Sequence, residues 1–189
     1  PLLRDLDGTG LTVIVTGANS GLGLATSESL ASLGATVIMG CRSQSRCDAA
    51  LHASVAPAAA AAGAPTPRAI GGLDLDSLVA TRRWARRVRR RAGRRDKLVL
   101  VCNAGLAHGA GRKTREGVQL LFGSMYLAHT ELYKELSPTR VVHSGSDTQI
   151  FCGSIFAPFS GACLPTDFFE RPAQGGGSSA HGWASAPAA

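Results

Sequence analysis

The residues whose types and spacing could do chemistry begin in a short glycine turn. Residues 11–23 read Leu11-Thr12-Val13-Ile14-Val15-Thr16-Gly17-Ala18-Asn19-Ser20-Gly21-Leu22-Gly23. An apolar run rich in β-branched residues suits a strand buried on both faces, and Leu24, Leu30 and Leu33 then carry a helical pattern. A strand, a glycine turn and a helix are the context that a dinucleotide-binding turn requires. Gly17 would permit a sharp exit from the strand, Gly21 would admit the backbone to a pyrophosphate, and Gly23 would let the helix pack on the sheet. Thr16, Asn19, Ser20 and Leu22 complete the turn. Free N–H groups and the helix dipole would then hold the phosphate charge.

Other residues with chemical potential lie at the ends of further strand-like runs. Val37-Ile38-Met39-Gly40-Cys41-Arg42 ends without an acidic residue in the immediate turn. An acid there binds a free ribose 2′-hydroxyl, whereas an arginine pairs with a 2′-phosphate, so Arg42 points to NADP(H), with Arg46 assisting. Asp74 closes Ile70-Gly71-Gly72-Leu73-Asp74, and Asn103-Ala104-Gly105 follows the run Leu98–Cys102. The five histidines show no metal-ligand spacing, so no metal site is expected.

These residues need elements to position them. Strands are expected over 11–15, 35–39, 68–75, 97–102 and 139–143. Helices are expected over 24–33, from Gln44 to about Val55, from Asp76 or Ser77 onward, and over 116–136. Gly34 suits a helix C-cap and Ser43 an N-cap. Residues 57–67, rich in alanine and proline, read as a surface connector. The alternation implies a three-layer, doubly wound parallel α/β sheet of Rossmann type, incomplete on its C-terminal side. Domain limits of 1–160 and an irregular tail of 161–189 follow, since the pattern decays after Ser146 and Gly175-Gly176-Gly177 opens a flexible stretch.

The chain of 189 residues is 44% hydrophobic and 17% charged, with a net charge of +7. Nine arginines lie within residues 82–95. With Leu78, Trp84, Ala85 and Val88 as an inner stripe, they read as the solvated face of an outer helix. No aromatic platform is left among them for stacking bases, so no specific nucleic-acid partner is expected. No apolar run reaches membrane-spanning length. The five cysteines are odd in number and form no C-x-x-C pair. That favours reduced thiols and an intracellular, reducing compartment.

The phrases Asp7-Gly8-Thr9-Gly10-Leu11, Thr16-Gly17-x-x-x-Gly21-x-Gly23, Val37–Arg42, Leu73-Asp74-Leu75-Asp76-Ser77-Leu78 and Asn103-Ala104-Gly105 together resemble the short-chain dehydrogenase/reductase family over residues 8–146. They are most similar to its retinol-dehydrogenase-like and protochlorophyllide-reductase-like branches. By that resemblance, Asp74 would bond the adenine ring and Asn103 would steady the central strand and border the adenosine ribose. The resemblance implies an NADP(H)-dependent oxidoreductase passing hydride between nicotinamide and a carbonyl or alcohol substrate. Ser146 would orient the carbonyl, with Ser144 the fallback. The family's tyrosine, whose hydroxyl exchanges a proton with the substrate, and the lysine four residues later have no counterpart: Tyr126 and Tyr133 both precede Ser146. Met125 stands where the family has an asparagine. The alternative is therefore a non-catalytic dinucleotide-binding or structural subunit. A homo-oligomer and a place in a larger assembly both stay open.

Overall fold

A computed structural model describes residues 6–92, 97–106 and 111–145. The apolar runs become five parallel strands: β1 (Thr12–Thr16), β2 (Thr36–Gly40), β3 (Arg68–Ile70), β4 (Leu98–Cys102) and β5 (Arg140–His143), in the order β3-β2-β1-β4-β5. The central strand β1 pairs Val13 with Val37 on one side and with Val99 on the other. This is the doubly wound arrangement, with its switch point beside the C-terminal ends of β1 and β4.

Alternation along the strands divides the core in two. Val13, Val15, Val37 and Met39 face one layer, made by α1 (Gly21–Ser32), α2 (Gln44–Ala50) and α3 (Ala56–Ala61). Ile14, Ile38, Leu98 and Leu100 face the other, where α4 (Leu78–Arg89) and α6 (Ala128–Leu136) pack through Trp84, Ala85, Val88, Leu132 and Leu136. Strands covered on both sides read as near-continuous apolar runs, as Val13–Val15, Val37–Met39 and Leu98–Cys102 do. Gly40 has a specific reason to be glycine: a Cβ there would lie 2.9 Å from Trp84 Cη2. Trp84 in turn donates 3.1 Å to the carbonyl of Ile70, so the indole fills the layer without an orphaned N–H.

Three expectations are corrected. Residues 57–61 are not connector: helix runs from Gln44 to Ala61, through a widened π-turn at Leu51–Val55 just before Pro57. The proline has no N–H to give the ladder, and the wider turn absorbs the mismatch. The third strand stops at Ile70, because Gly71 packs on Gln44 and Gly72 takes a φ of +75°. The helix expected over 116–136 starts only at α5 (Leu120–Phe122), and a π-turn at Gly123–Leu127 joins it to α6. Gly117, at φ +81°, turns the preceding segment back so that Lys113 pairs with Gln119.

The arginine-rich helix has the expected inner face, with Trp84 and Val88 buried. Its outer face is not merely solvated. Arg82 pairs with Glu131 at 2.7 Å, and Arg86 with Glu135 at 2.9 Å, both on α6. Arg94 and Arg95 lie outside the described residues, as does the expected boundary near residue 160. Among the described residues no helix is long and apolar enough to cross a membrane.

Candidate functional site

The site forms where β1 and β4 end side by side. Thr16 is fully buried, and its hydroxyl is the knot of the junction. It accepts from the backbone N–H of Asn103 at 3.0 Å and of Ala104 at 2.9 Å. The Asn103 side-chain amide returns a 2.9 Å hydrogen bond to the Thr16 carbonyl. Asn103 therefore ties the two strand ends together. Ser144, which leaves β5, lies with its hydroxyl 3.5 Å from Asn103 Oδ1, extending the row of strand ends.

Gly17 then turns the chain away at φ +67°, with its N–H held 2.8 Å from the Gly40 carbonyl. A Cβ there would lie 3.0 Å from the Cα of Ala104. Gly23 packs against the Gly17 carbonyl and the Asn103 amide, with no room for a methyl group. Gly21 differs. It has φ +53° and nothing within 4 Å of an added Cβ, so it borders open space. Ser20, at the N-cap, makes no side-chain cap, and α1 has no acid in its first turn. The first-turn N–H groups, with Gly21 and Leu22 exposed, and the helix dipole are thus left to an outside anion. Leu22 is 75% exposed beside them.

A cleft of about 320 Å³ opens beyond this turn, lined by Gly17, Asn19, Arg42, Asp74, Ala104 and Gly105 among others. Arg42 borders it and also a second hollow shared with Asn19, Ser43 and Arg46. Ser43 caps α2, as expected, by accepting from the Arg46 N–H at 3.4 Å. The cleft fits a dinucleotide on two counts: uncapped helix donors beside it, and one acceptor without a donor. That acceptor is Asp76 Oδ1, which is buried and has no partner among the described residues.

The structure adds residues that the sequence did not disclose. Arg115 reaches Asp74 Oδ2 at 2.9 Å, while Asp74 Oδ1 accepts from the Asp76 N–H at 3.3 Å. Each carboxylate oxygen has two acceptor positions, so Asp74 keeps capacity for a ligand amine. Arg112, Leu120 and Ser124 also line the cleft. Glu116, expected within a helix, instead accepts from the N–H of Leu78 at 2.8 Å and from the Ser77 hydroxyl at 3.3 Å, capping α4. Partial burial pulls its carboxyl upward, but these bonds outweigh it and hold the pKa below the usual carboxylate range. The one signal for this loop was Gly117, which cannot sit comfortably inside a helix.

Of the catalytic candidates, Ser146 lies outside the described residues. Tyr126 and Tyr133 are more than half exposed, and neither lines the cleft. Met125 sits in the π-turn, its Cε 3.1 Å from where a Cβ on Gly105 would be. The expectation of reduced thiols fails at one place: Cys41 and Cys47 are joined in a disulfide. Their Cα atoms are 5.9 Å apart because the chain leaving β2 folds straight back into α2. Cys102 keeps a free thiol, which burial pushes up to about 11.

Residues 11–145 match the family model for short chain dehydrogenases. The chain belongs to the short-chain dehydrogenase family. Its relatives include mouse retinol dehydrogenase 14, 38% identical over 145 residues, covering 70% of this chain and 43% of that protein. Barley protochlorophyllide reductase B, chloroplastic, is 38% identical over 128 residues, covering 65% of this chain and 30% of that protein. The chain thus spans less than half the length of the curated relatives it matches. Among solved structures, the Pseudomonas aeruginosa RhlG/NADP active-site complex superposes with a TM-score of 0.60 at 25% identity, covering 76% of this chain and 57% of that one. A short-chain dehydrogenase from Sphingobium yanoikuyae in complex with NADPH gives 0.55 at 25%, covering 74% and 55%. The parallel sheet and glycine turn are therefore those of a short-chain dehydrogenase.

Proposed function

We propose that this chain is the cofactor-binding part of an NADP(H)-dependent oxidoreductase that passes hydride between nicotinamide and a carbonyl or alcohol of a small molecule. The observation that carries the reading is the position of Arg42. It borders both the main cleft and the hollow shared with Asn19, Ser43 and Arg46, and no acid follows β2 in the immediate turn. Pyrophosphate would rest on the first-turn N–H groups of α1 at Gly21, Leu22 and Gly23, with Thr16, Asn19 and Ser20 shaping the turn. The 2′-phosphate would meet Arg42. Asp74 would accept from the adenine amine, and Asn103, Ala104 and Gly105 would flank the ribose. Bound there, the dinucleotide supplies a hydride donor or acceptor at its nicotinamide ring. That two structural relatives are complexes with NADP or NADPH supports the choice.

The test is titration of the protein and of Arg42→Ala with NADPH and NADH. A charge-assisted bond to phosphate is worth about 1.5–3 kcal/mol, so the variant is expected to lose roughly ten- to hundredfold for NADPH and little for NADH. Preference for NADH by the unmodified protein overturns the assignment.

A second reading is a binding module without turnover. It rests on Met125 in place of the family's asparagine. NADPH oxidation tested with quinones, aldehydes and ketones, beside the binding assay, separates the two readings. Binding without turnover favours the module. Turnover that disappears in Ser146→Ala favours the enzyme.

A further inference from the structure

The junction described above has one more member. His129, on α6, lies with Nε2 3.0 Å from the Thr16 hydroxyl and Nδ1 2.8 Å from the Met125 carbonyl. The ring is 3% exposed, so water does not complete its hydrogen bonds. Counting protons settles how it bonds.

The Thr16 hydroxyl has one proton and two acceptor positions. Both acceptor positions are taken, by the N–H groups of Asn103 and Ala104. Its proton has two possible takers, the Val101 carbonyl at 3.3 Å and His129 Nε2 at 3.0 Å. An N–H at Nε2 would find no free acceptor on Thr16. A bare Nδ1 would set acceptor against acceptor at the Met125 carbonyl. Only the neutral ring with its proton on Nδ1 satisfies every partner: Nδ1–H donates to Met125, and Nε2 accepts from Thr16. A protonated ring adds a second N–H where nothing can receive it, and a buried donor left without a partner is expensive.

We propose that His129 is a positioning residue of the cofactor cleft: as a neutral acceptor it anchors Thr16 between the glycine turn and the exit of β4, and protonating it loosens the grip on the dinucleotide. The inference rests on the cofactor reading above but concerns a residue that touches no ligand. Thr16 is where the chain turns into Gly17, and its two amide donors begin the opposite wall. A second N–H on His129 would push against the Thr16 hydroxyl at the point where both sides of the cleft meet.

The surroundings agree. Burial lowers the pKa of His129 below its usual 6.5; the Met125 carbonyl opposes that shift, and His143 adds repulsion. His143 ends β5, paired in register with Cys102 on β4, whose thiol stays uncharged. β1 brings no titratable side chain in Thr12–Thr16. On α6 itself, Glu131 and Glu135 are engaged by Arg82 and Arg86, and Lys134 lies 3.5 Å from Glu131. The sign follows: with the folded pKa depressed, the contribution is complete above about pH 6.5 and is lost as the pH falls through the lower folded value.

The experiment is NADP+ affinity between about pH 7.5 and pH 5 for the full chain and for His129→Gln. The Gln Oε1 sits where Nε2 does, accepts from Thr16 and does not titrate. The 2′-phosphate of NADP+ titrates in the same range, so the readout is the ratio of the two proteins' affinities at each pH. Wild type is expected to weaken about tenfold relative to His129→Gln across that range, the size of one lost buried hydrogen bond. Parallel profiles overturn the inference while leaving the cofactor reading standing. Binding by neither protein at the upper pH sinks both. If His129→Gln does not fold, imidazole 15N shifts of the wild type decide. The proton must be on Nδ1, and saturating NADP+ must move the His129 midpoint downward, since coupling is reciprocal. A proton on Nε2, or an unmoved midpoint, overturns it.

Discussion

The side-chain amide of Asn103 occupies the notch left by the missing side chain of Gly23, and from there it holds the Thr16 carbonyl at 2.9 Å. One residue of α1 and one residue after β4 thus fix each other, with the glycine turn between them.

Gly23→Ala is expected to be costly in both stability and binding. The methyl group would be driven into the Asn103 amide and the Gly17 carbonyl. Overpacking of this kind costs about 1–3 kcal/mol. Urea unfolding should show a lower midpoint at unchanged slope, and NADPH affinity should fall with it.

Gly21→Ala should separate the two effects. Its Cβ meets nothing within 4 Å, so the folded protein bears only the strain of φ +53°. That strain is about 1 kcal/mol. Dinucleotide affinity should fall by more than the stability does, because on the proposed reading the methyl group would stand where the pyrophosphate approaches. Equal affinities for wild type and variant in an NADPH titration would remove the site from this turn.

Glu116→Gln should weaken the start of α4. The carboxylate accepts from the Leu78 N–H and the Ser77 hydroxyl at a helix N-terminus. A charge in that position contributes about 0.3–1 kcal/mol. Because the folded pKa is depressed, the wild-type advantage should be full above about pH 4.5 and vanish as the pH falls through the lower folded value. Stability curves of the two proteins against pH should therefore converge in acid.

Reduction of Cys41–Cys47 should yield two more reactive thiols in denaturant than the untreated chain gives. It should also lower stability by roughly 2 kcal/mol, the chain-entropy expectation for a loop this short. An unchanged thiol count before and after dithiothreitol would refute the bridge.

Where the sequence was readable, the reason was periodicity. The runs at Thr12–Thr16 and Leu98–Cys102 are apolar at nearly every position because both faces are covered, and they fall within a residue of where they were expected. The glycine turn was legible because its glycines follow a strand and open a helix. Partners distant in sequence were not legible. Nothing near Arg86 announces Glu135, 49 residues away, and nothing near Asp74 announces Arg115. Cys41 and Cys47 were misread because their pairing depends on a reversal between β2 and α2 rather than on a spacing motif. Glu116 was misread because a helical composition says little once Gly117 turns the chain.

The strand order also places contacts of very different sequence separation on the two flanks of β1. β1, α1 and β2 are consecutive, so one flank of the central strand can close over a short loop. The other flank waits for β4, and the contact between Thr16 and Val101 spans 85 residues. Closing long loops costs entropy before any contact repays it. The cleft lies on the long-range seam, one wall from the β1–α1 turn and the other from the exit of β4. A molecule bound across it holds together two pieces of chain that lie far apart in sequence, and so acts as a latch on the finished fold.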